Sequence, residues 1–288
     1  MMGPASVRTG RGDDRGWTFC NVGIGSLVVG AALAAPALGA DRDVGDLDAF
    51  TLVLKRQGAT LEVADSTNPL MCLFGMRVPN ALRIHPHRDN EGKEVAMTAE
   101  EFRRIPFDQI TDLKEFSLVS NPLIRDRDLI GLSKTSVQSV KVSGGVVDGS
   151  FLACLPRDTV EDLEIKDIQL KKESLGWLQR YEVLKIVSLI NVGVDDDALA
   201  MVARAPSVRT VVMKGPGVSV AGVLTLCSNP SMQFVGAEVV RPPSAKERAE
   251  LDKLCEQRPD LKIVLTVVSD EERLSMCNTP LDRGVSEE

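Results

Sequence analysis

The sequence predicts an α/β protein: a curved, all-parallel sheet with one strand and one short helix per repeat, closed at each end by a cap. Two observations predict it. Six segments share one apolar pattern, and the segments keep one spacing. They begin Leu113-Lys-Glu-Phe116-Ser-Leu118, Val137-Gln-Ser-Val140-Lys-Val142, Val160-Glu-Asp-Leu163-Glu-Ile165, Leu184-Lys-Ile-Val187-Ser-Leu189, Val208-Arg-Thr-Val211-Val-Met213 and Met232-Gln-Phe-Val235-Gly-Ala237, with starts 24, 23, 24, 24 and 24 residues apart. A period in the twenties with apolar residues at offsets 0, 3 and 5 belongs to chains whose units stack in a row, because one unit alone leaves its apolar face wet and its neighbours cover it.

Each unit justifies its own elements. Offsets 3 and 5 have the same parity, so a strand turns both side chains to one face. Offset 10 is apolar in five copies, at Leu123, Val147, Leu170, Val194 and Val218. Offsets 15 and 18 are apolar in four, at Leu152/Leu155, Leu175/Leu178, Leu199/Val202 and Val223/Leu226, and the first copy carries Leu129/Leu132 one residue later. An i,i+3 pair lies on one face of a helix. The pattern resembles the leucine-rich repeat, L-x-x-L-x-L-x-x-N-x-L. The first copy matches in full, with Leu113, Phe116, Leu118, Asn121 and Leu123, while the Asn position of the others holds Gly145, Ile168, Val192, Pro216 and Val240. In that family the Asn hydrogen-bonds within the turn. The resemblance covers roughly two thirds of the chain and points to exported, bacterial-type short α/β repeats similar to the ribonuclease-inhibitor-like class. It implies a leucine-rich-repeat solenoid whose partners bind on the concave sheet face.

Around the repeats the chain divides into residues 1–40, a signal peptide or membrane anchor; 41–78, an N-terminal cap; 79–267, the solenoid with its C-terminal cap; and 268–288, a flexible acidic tail. Residues 22–38 carry no charge, are rich in Gly, Ala, Val and Leu, follow Arg8, Arg11 and Arg15, and lead to the small residues Ala37-Leu-Gly39 and Ala40. A basic start, an apolar run and small residues at its end read as a secretory signal, and the run is also long enough to be a short anchor. Arg11-Gly-Asp13 precedes that run and is a chance match to an adhesion tripeptide. Asp46 to Gly58 reads as a capping helix, with Leu47, Phe50 and Leu54 on one stripe. Ala59–Val63 and 71–78 look extended, and Ala81-Leu82-Arg-Ile84 resembles one more repeat strand. A polar insertion, His85 to Glu94, separates it from a capping box, Thr98-Ala-Glu-Glu101, that opens a helix through Phe102 and Ile105. A second capping box, Ser244-Ala-Lys-Glu247, opens a helix to about Gln257, and a last strand follows at 261–264.

Chemistry-bearing residues are sparse. Net charge is −7, and removal of residues 1–40 takes away three Arg and two Asp and leaves −8, a balance that argues against nucleic acid as the partner. His85 and His87 are the only histidines, and with Asp89 they fall short of the three or four ligands of a zinc site. Asp195-Asp-Asp197 complements a helix N-terminus. The six cysteines leave five after the signal, an odd count; Cys227 and Cys255 lie in adjacent helices, while Cys154 and Cys227 are too far apart to bridge. No phosphate loop or nucleophile motif is present in the sequence. The expected function is therefore non-catalytic protein recognition by an exported chain, with no cofactor and no metal. The alternatives are a membrane-tethered accessory subunit of an envelope complex, or an enzyme with an unrecognised site. Offsets 2, 4 and 6 face outward, and there the apolar residues gather in the C-terminal half. The candidate partner-binding residues are Ile186, Ile190, Val212 and Phe234, with Phe234 the only aromatic at these positions in the six strands.

Overall fold

A computed structural model describes residues 59–65, 77–88, 94–108, 110, 112–215 and 217–267. The expected signal segment, the helix at 46–58 and the acidic tail lie outside the described residues. β1 (Ala59–Asp65) runs antiparallel to β2 (Arg77–Ile84). A two-stranded hairpin follows, β3 (His87–Arg88) with β4 (Glu94–Val95), and then α1 (Ala99–Arg103). The repeat strands are β5 (Glu115–Val119), β6 (Ser139–Ser143), β7 (Asp162–Lys166), β8 (Ile186–Ile190), β9 (Thr210–Lys214), β10 (Phe234–Val239) and β11 (Lys262–Val267). The sheet order is β1-β2-β5-β6-β7-β8-β9-β10-β11. The eight strands from β2 onward, without β3 and β4, are all parallel, and the sheet is not closed into a barrel.

Parallel neighbours require a crossover, and helical segments supply it. Three are 3₁₀, at Asp126–Lys134, Ser150–Ala153 and Lys172–Arg180; three are α-helices, α2 (Asp196–Ala203), α3 (Val220–Cys227) and α4 (Ala245–Gln257). A 3₁₀ helix has about three residues per turn, so residues i and i+3 eclipse. That is why Leu129/Leu132 and Leu175/Leu178 serve the core as well as Leu199/Val202 and Val223/Leu226 do on α-helices; all eight are fully buried. The inward positions Val140, Leu163, Val187 and Val211 are also fully buried. Cross-strand register is strict: Val140 faces Leu163, which faces Val187, which faces Val211.

One residue departs from its repeat and one expectation is corrected. Leu123, at the apolar offset 10, is 46% exposed, and Ile124 beside it is fully buried. The first unit carries one extra residue before Leu129, which moves the inward position along by one. The helix expected through Ile105 stops at Arg103, since Pro106 cannot continue it, although Ile105 is buried past its end. The capping box at its start holds as read, with the Glu101 N–H donating to Thr98 Oγ1 at 3.2 Å and the Thr98 N–H to Glu101 Oε2 at 2.8 Å.

The turns after the strands are regular although the consensus Asn occurs once. One position earlier, every unit from β5 to β9 places its residue in the left-handed region: Ser120 (φ 46°), Gly144 (66°), Asp167 (53°), Asn191 (53°) and Gly215 (126°). Gly, Asn and Asp accept this conformation most readily. Their N–H groups form a ladder onto the next strand, Gly144 to Lys166 O at 2.8 Å, Asp167 to Ile190 O at 2.9 Å and Asn191 to Lys214 O at 2.7 Å. Asn121 itself donates to Met97 O at 3.0 Å and accepts from the N–H of Leu123 at 2.9 Å. At the equivalent place Ile168 and Val192 are buried and exchange that polar network for apolar packing.

Acids link several units to the next. Asp126 accepts from the N–H of Asp148 and of Phe151, both at 2.9 Å, and Asp196 accepts from Ser219 Oγ at 2.7 Å. Asp195 caps α2, accepting from the Ala198 N–H at 2.8 Å, so the Asp195–Asp197 run does act at a helix start. At the last unit the Arg258 guanidinium donates to the carbonyls of Cys227 (3.3 Å), Asn229 (2.8 Å), Pro230 (3.0 Å) and Met232, and so ties the end of α4 to the loop before β10.

Candidate functional site

The candidate residues lie on the sheet face opposite the helices. Strand pairing aligns Asp162, Ile186, Thr210, Phe234 and Lys262 in one column and Glu164, Ser188, Val212, Gly236 and Val264 in the next. Ile190 stands beside Lys214 in a third. The four candidates are therefore brought onto three consecutive strands, β8 to β10, about 4.8 Å apart. Ile186 is 39% exposed; Ile190, Val212 and Phe234 are half-buried.

Gly236 determines how Phe234 lies. A Cβ added at Gly236 would stand 3.1 Å from an edge carbon of the Phe234 ring, so the ring lies along its own strand over the space the glycine leaves. This placement turns an aromatic side chain into a low platform beside Val212. Val264 extends the platform to β11 and is 41% exposed. The sequence reading missed it because it counted the last strand from Leu261, whereas the register pairs Val235 with Ile263 and Ala237 with Leu265. Val264 is thereby outward. The signal that finds it is the alternation Ile263, Leu265, Val267 against Lys262, Val264, Thr266.

The N-terminal half of this face is mostly polar, with Val119 exposed on β5, and the charges of Arg83, Glu115 and Lys141 on β2, β5 and β6 are paired. Glu115 Oε1 sits 3.4 Å from both Arg83 Nε and Lys141 Nζ. Asp162 is half-buried and accepts from Ser139 Oγ at 3.3 Å. Burial pushes its carboxyl above the ordinary 3.8, Ser139 and Lys141 oppose that rise, and Glu115 adds to it. Next to this acid the surface becomes apolar at Ile186, its partner in register.

His85 and His87 come no nearer to a chemical site. His87 lies in the β3–β4 hairpin with Nδ1 buried and unpartnered, while His85 Nδ1 lies 3.2 Å from the Pro86 carbonyl oxygen. No group of three or more His, Cys, Asp or Glu that could hold a metal occurs among the described residues. Cys154, Cys227 and Cys255 are free thiols. Burial pushes Cys227 up to about 12, and Cys255 nearby adds to the shift, so neither thiol is activated as a nucleophile. A shallow open hollow lined by Ile130, Ser133, Cys154, Arg157 and Glu182 lies where the first helical segments lead back to the strands. Among the described residues no helix is long and apolar enough to cross a membrane. No protein-family model matches this chain, and no curated protein matches it.

Proposed function

We propose that this chain is an exported leucine-rich-repeat solenoid that recognises a protein partner on the concave, helix-free face of its sheet. The contact is made by Ile186, Ile190, Val212 and Phe234, extended by Val264. It is a non-catalytic role that needs no cofactor or metal. One observation carries the reading: apart from Val119 on β5, the large apolar residues of this face gather on β8 to β11, whereas the charges on β5 and β6 are paired with one another. A partner that removes the apolar group from water gains roughly 25 cal/mol per Å², while displacing the Arg83–Glu115–Lys141 cluster gains little. The repeat period, the single strand per unit and the left-handed turns support the solenoid reading. Export rests on the uncharged run at residues 22–38 after a basic start.

The test is affinity capture from the extracellular or envelope extract of the source cells, followed by comparison of Phe234→Ala with Lys141→Ala. Phe234→Ala is expected to weaken binding by at least ~1 kcal/mol with folding unchanged, and Lys141→Ala to do little. Equal losses from both would move the contact off the apolar half.

A further inference from the structure

β11 ends the sheet, and its outer edge is open among the described residues. Lys262 donates its backbone N–H to the Gln233 carbonyl at 2.8 Å, toward β10. The N–H and C=O of one residue point to one side of a strand, and the side alternates along it. Lys262, Val264 and Thr266 therefore bond toward β10, and Ile263, Leu265 and Val267 offer their backbone groups to the open edge. The side chains of these same three residues stand on the helix side, in register with Val235, Ala237 and Val239. Their cover is incomplete. Val235 and Val239 are fully buried, but Ile263 and Leu265 are only partly so and Val267 is 46% exposed; in α4, Leu251 is the one buried side chain. The strand has no proline and no bulge, and its one charge is Lys262. A straight apolar edge of this kind is a template for pairing, which chains cover or blunt.

We propose that a second copy of this chain covers it: two β11 strands pair antiparallel about a two-fold axis through Leu265, joining two sheets into one. A second copy matches the strand's own alternation, and that alternation sets the register. Residues opposite each other in an antiparallel pair share a face, so a two-fold axis through a residue sets apolar against apolar on the helix side. With the axis at Leu265, Leu265 meets Leu265 of the second copy and Ile263 meets Val267 of the second copy. All three are pairs that exchange both N–H···O bonds, so every outward backbone group of Ile263, Leu265 and Val267 is satisfied. An axis at Val264 would leave Val267 outside this ladder. Charge agrees with the choice: antiparallel pairing places the two Lys262 ammonium groups at opposite ends of the joint, whereas parallel pairing would set them side by side. A two-fold contact also closes on itself, while pairing of β11 with β1 of another copy would grow a filament.

The test is the solution mass of the full chain by sedimentation equilibrium, for the wild type and two variants, with circular dichroism as the folding control. Leu265→Pro deletes an N–H that faces the open edge and leaves the bonds to β10 in place. Val267→Lys puts a charge into the apolar seam. The expected result is a concentration-dependent dimer whose dissociation constant rises about tenfold or more in each variant. Should Leu265→Pro fail to fold, Val267→Lys decides. A wild type that stays monomeric, a dimer unaffected by a folded variant, or a filament would each overturn the proposal. A monomer whose Leu265 amide resists hydrogen exchange would show instead that the chain's own following residues cover the edge.

Discussion

Single residues carry their load according to where the register turns them. Leu163 is fully buried between Val140 and Val187, while Glu164 beside it faces the open side of the sheet. Leu163→Ala should cost about 2–5 kcal/mol, through lost burial and the cavity left behind. Glu164→Ala should stay within ~0.5 kcal/mol. Denaturant titration of the two variants checks the alternation, and equal losses would contradict it. Asp128 is a different kind of residue. It is buried, accepts from Arg103 Nε at 2.8 Å and accepts from the Arg125 N–H at 3.0 Å. Asp128→Ala leaves that N–H without its acceptor and should cost about 1–3 kcal/mol by the same measurement. The apolar skeleton of the repeat was legible because inward positions recur with period and parity. Asp128 was not, because its partner Arg103 lies on α1, outside the repeat, and no spacing rule pairs them.

Elements are joined by polar groups whose titration has a definite sign. In Asp148, burial works to raise the carboxyl, but hydrogen bonds from Lys171 and Ser150 outweigh it and hold it at about 2, below its ordinary 3.8. At the start of α4, Arg241 and Ser244 hold Glu247 at about 2, below 4.5. A carboxyl depressed in the folded state stabilises it above the unfolded pKa, and that contribution is lost as pH falls through the folded pKa. Stability should therefore decline as pH drops from about 4.5 to about 2, and Asp148→Asn should flatten this limb in acid titrations followed by circular dichroism. Asp162 acts in the opposite sense. Its raised carboxyl costs stability at neutral pH, and protonation relieves the cost. At this scale the sequence was partly legible. Both capping boxes and the Asp195 cap follow from residue type and spacing. The 3₁₀ form of the first three crossovers did not, because i,i+3 apolar pairs suit either helix. The left-handed position was missed because its occupants, Ser120, Gly144, Asp167, Asn191 and Gly215, share a backbone angle rather than a side-chain type.

Across the whole molecule, stacking sets the polar and apolar halves of one sheet face side by side. The four residues picked from the sequence all lie on that face, on three consecutive strands, since one register error would have sent all of them inward, and the core pattern left no freedom for one. Val264 escaped because the last unit breaks the period: β11 aligns 28 residues after β10, not 24. The proposed binding surface and the proposed two-fold joint share β11, but the first uses the outward Val264 side chain and the second the strand's outer edge and the helix-side chains of Ile263, Leu265 and Val267, so their variants separate. Val267→Lys should change mass and leave partner binding by Phe234 alone, and Phe234→Ala should do the reverse. The central claim is that the apolar half of the open sheet face is where a protein partner binds. The measurement that tests it most directly is the affinity of the captured partner for the chain carrying Phe234→Ala and Ile186→Ala together, with folding checked by circular dichroism. The account predicts a dissociation constant raised by about tenfold or more; an unchanged affinity in a correctly folded double variant would contradict it.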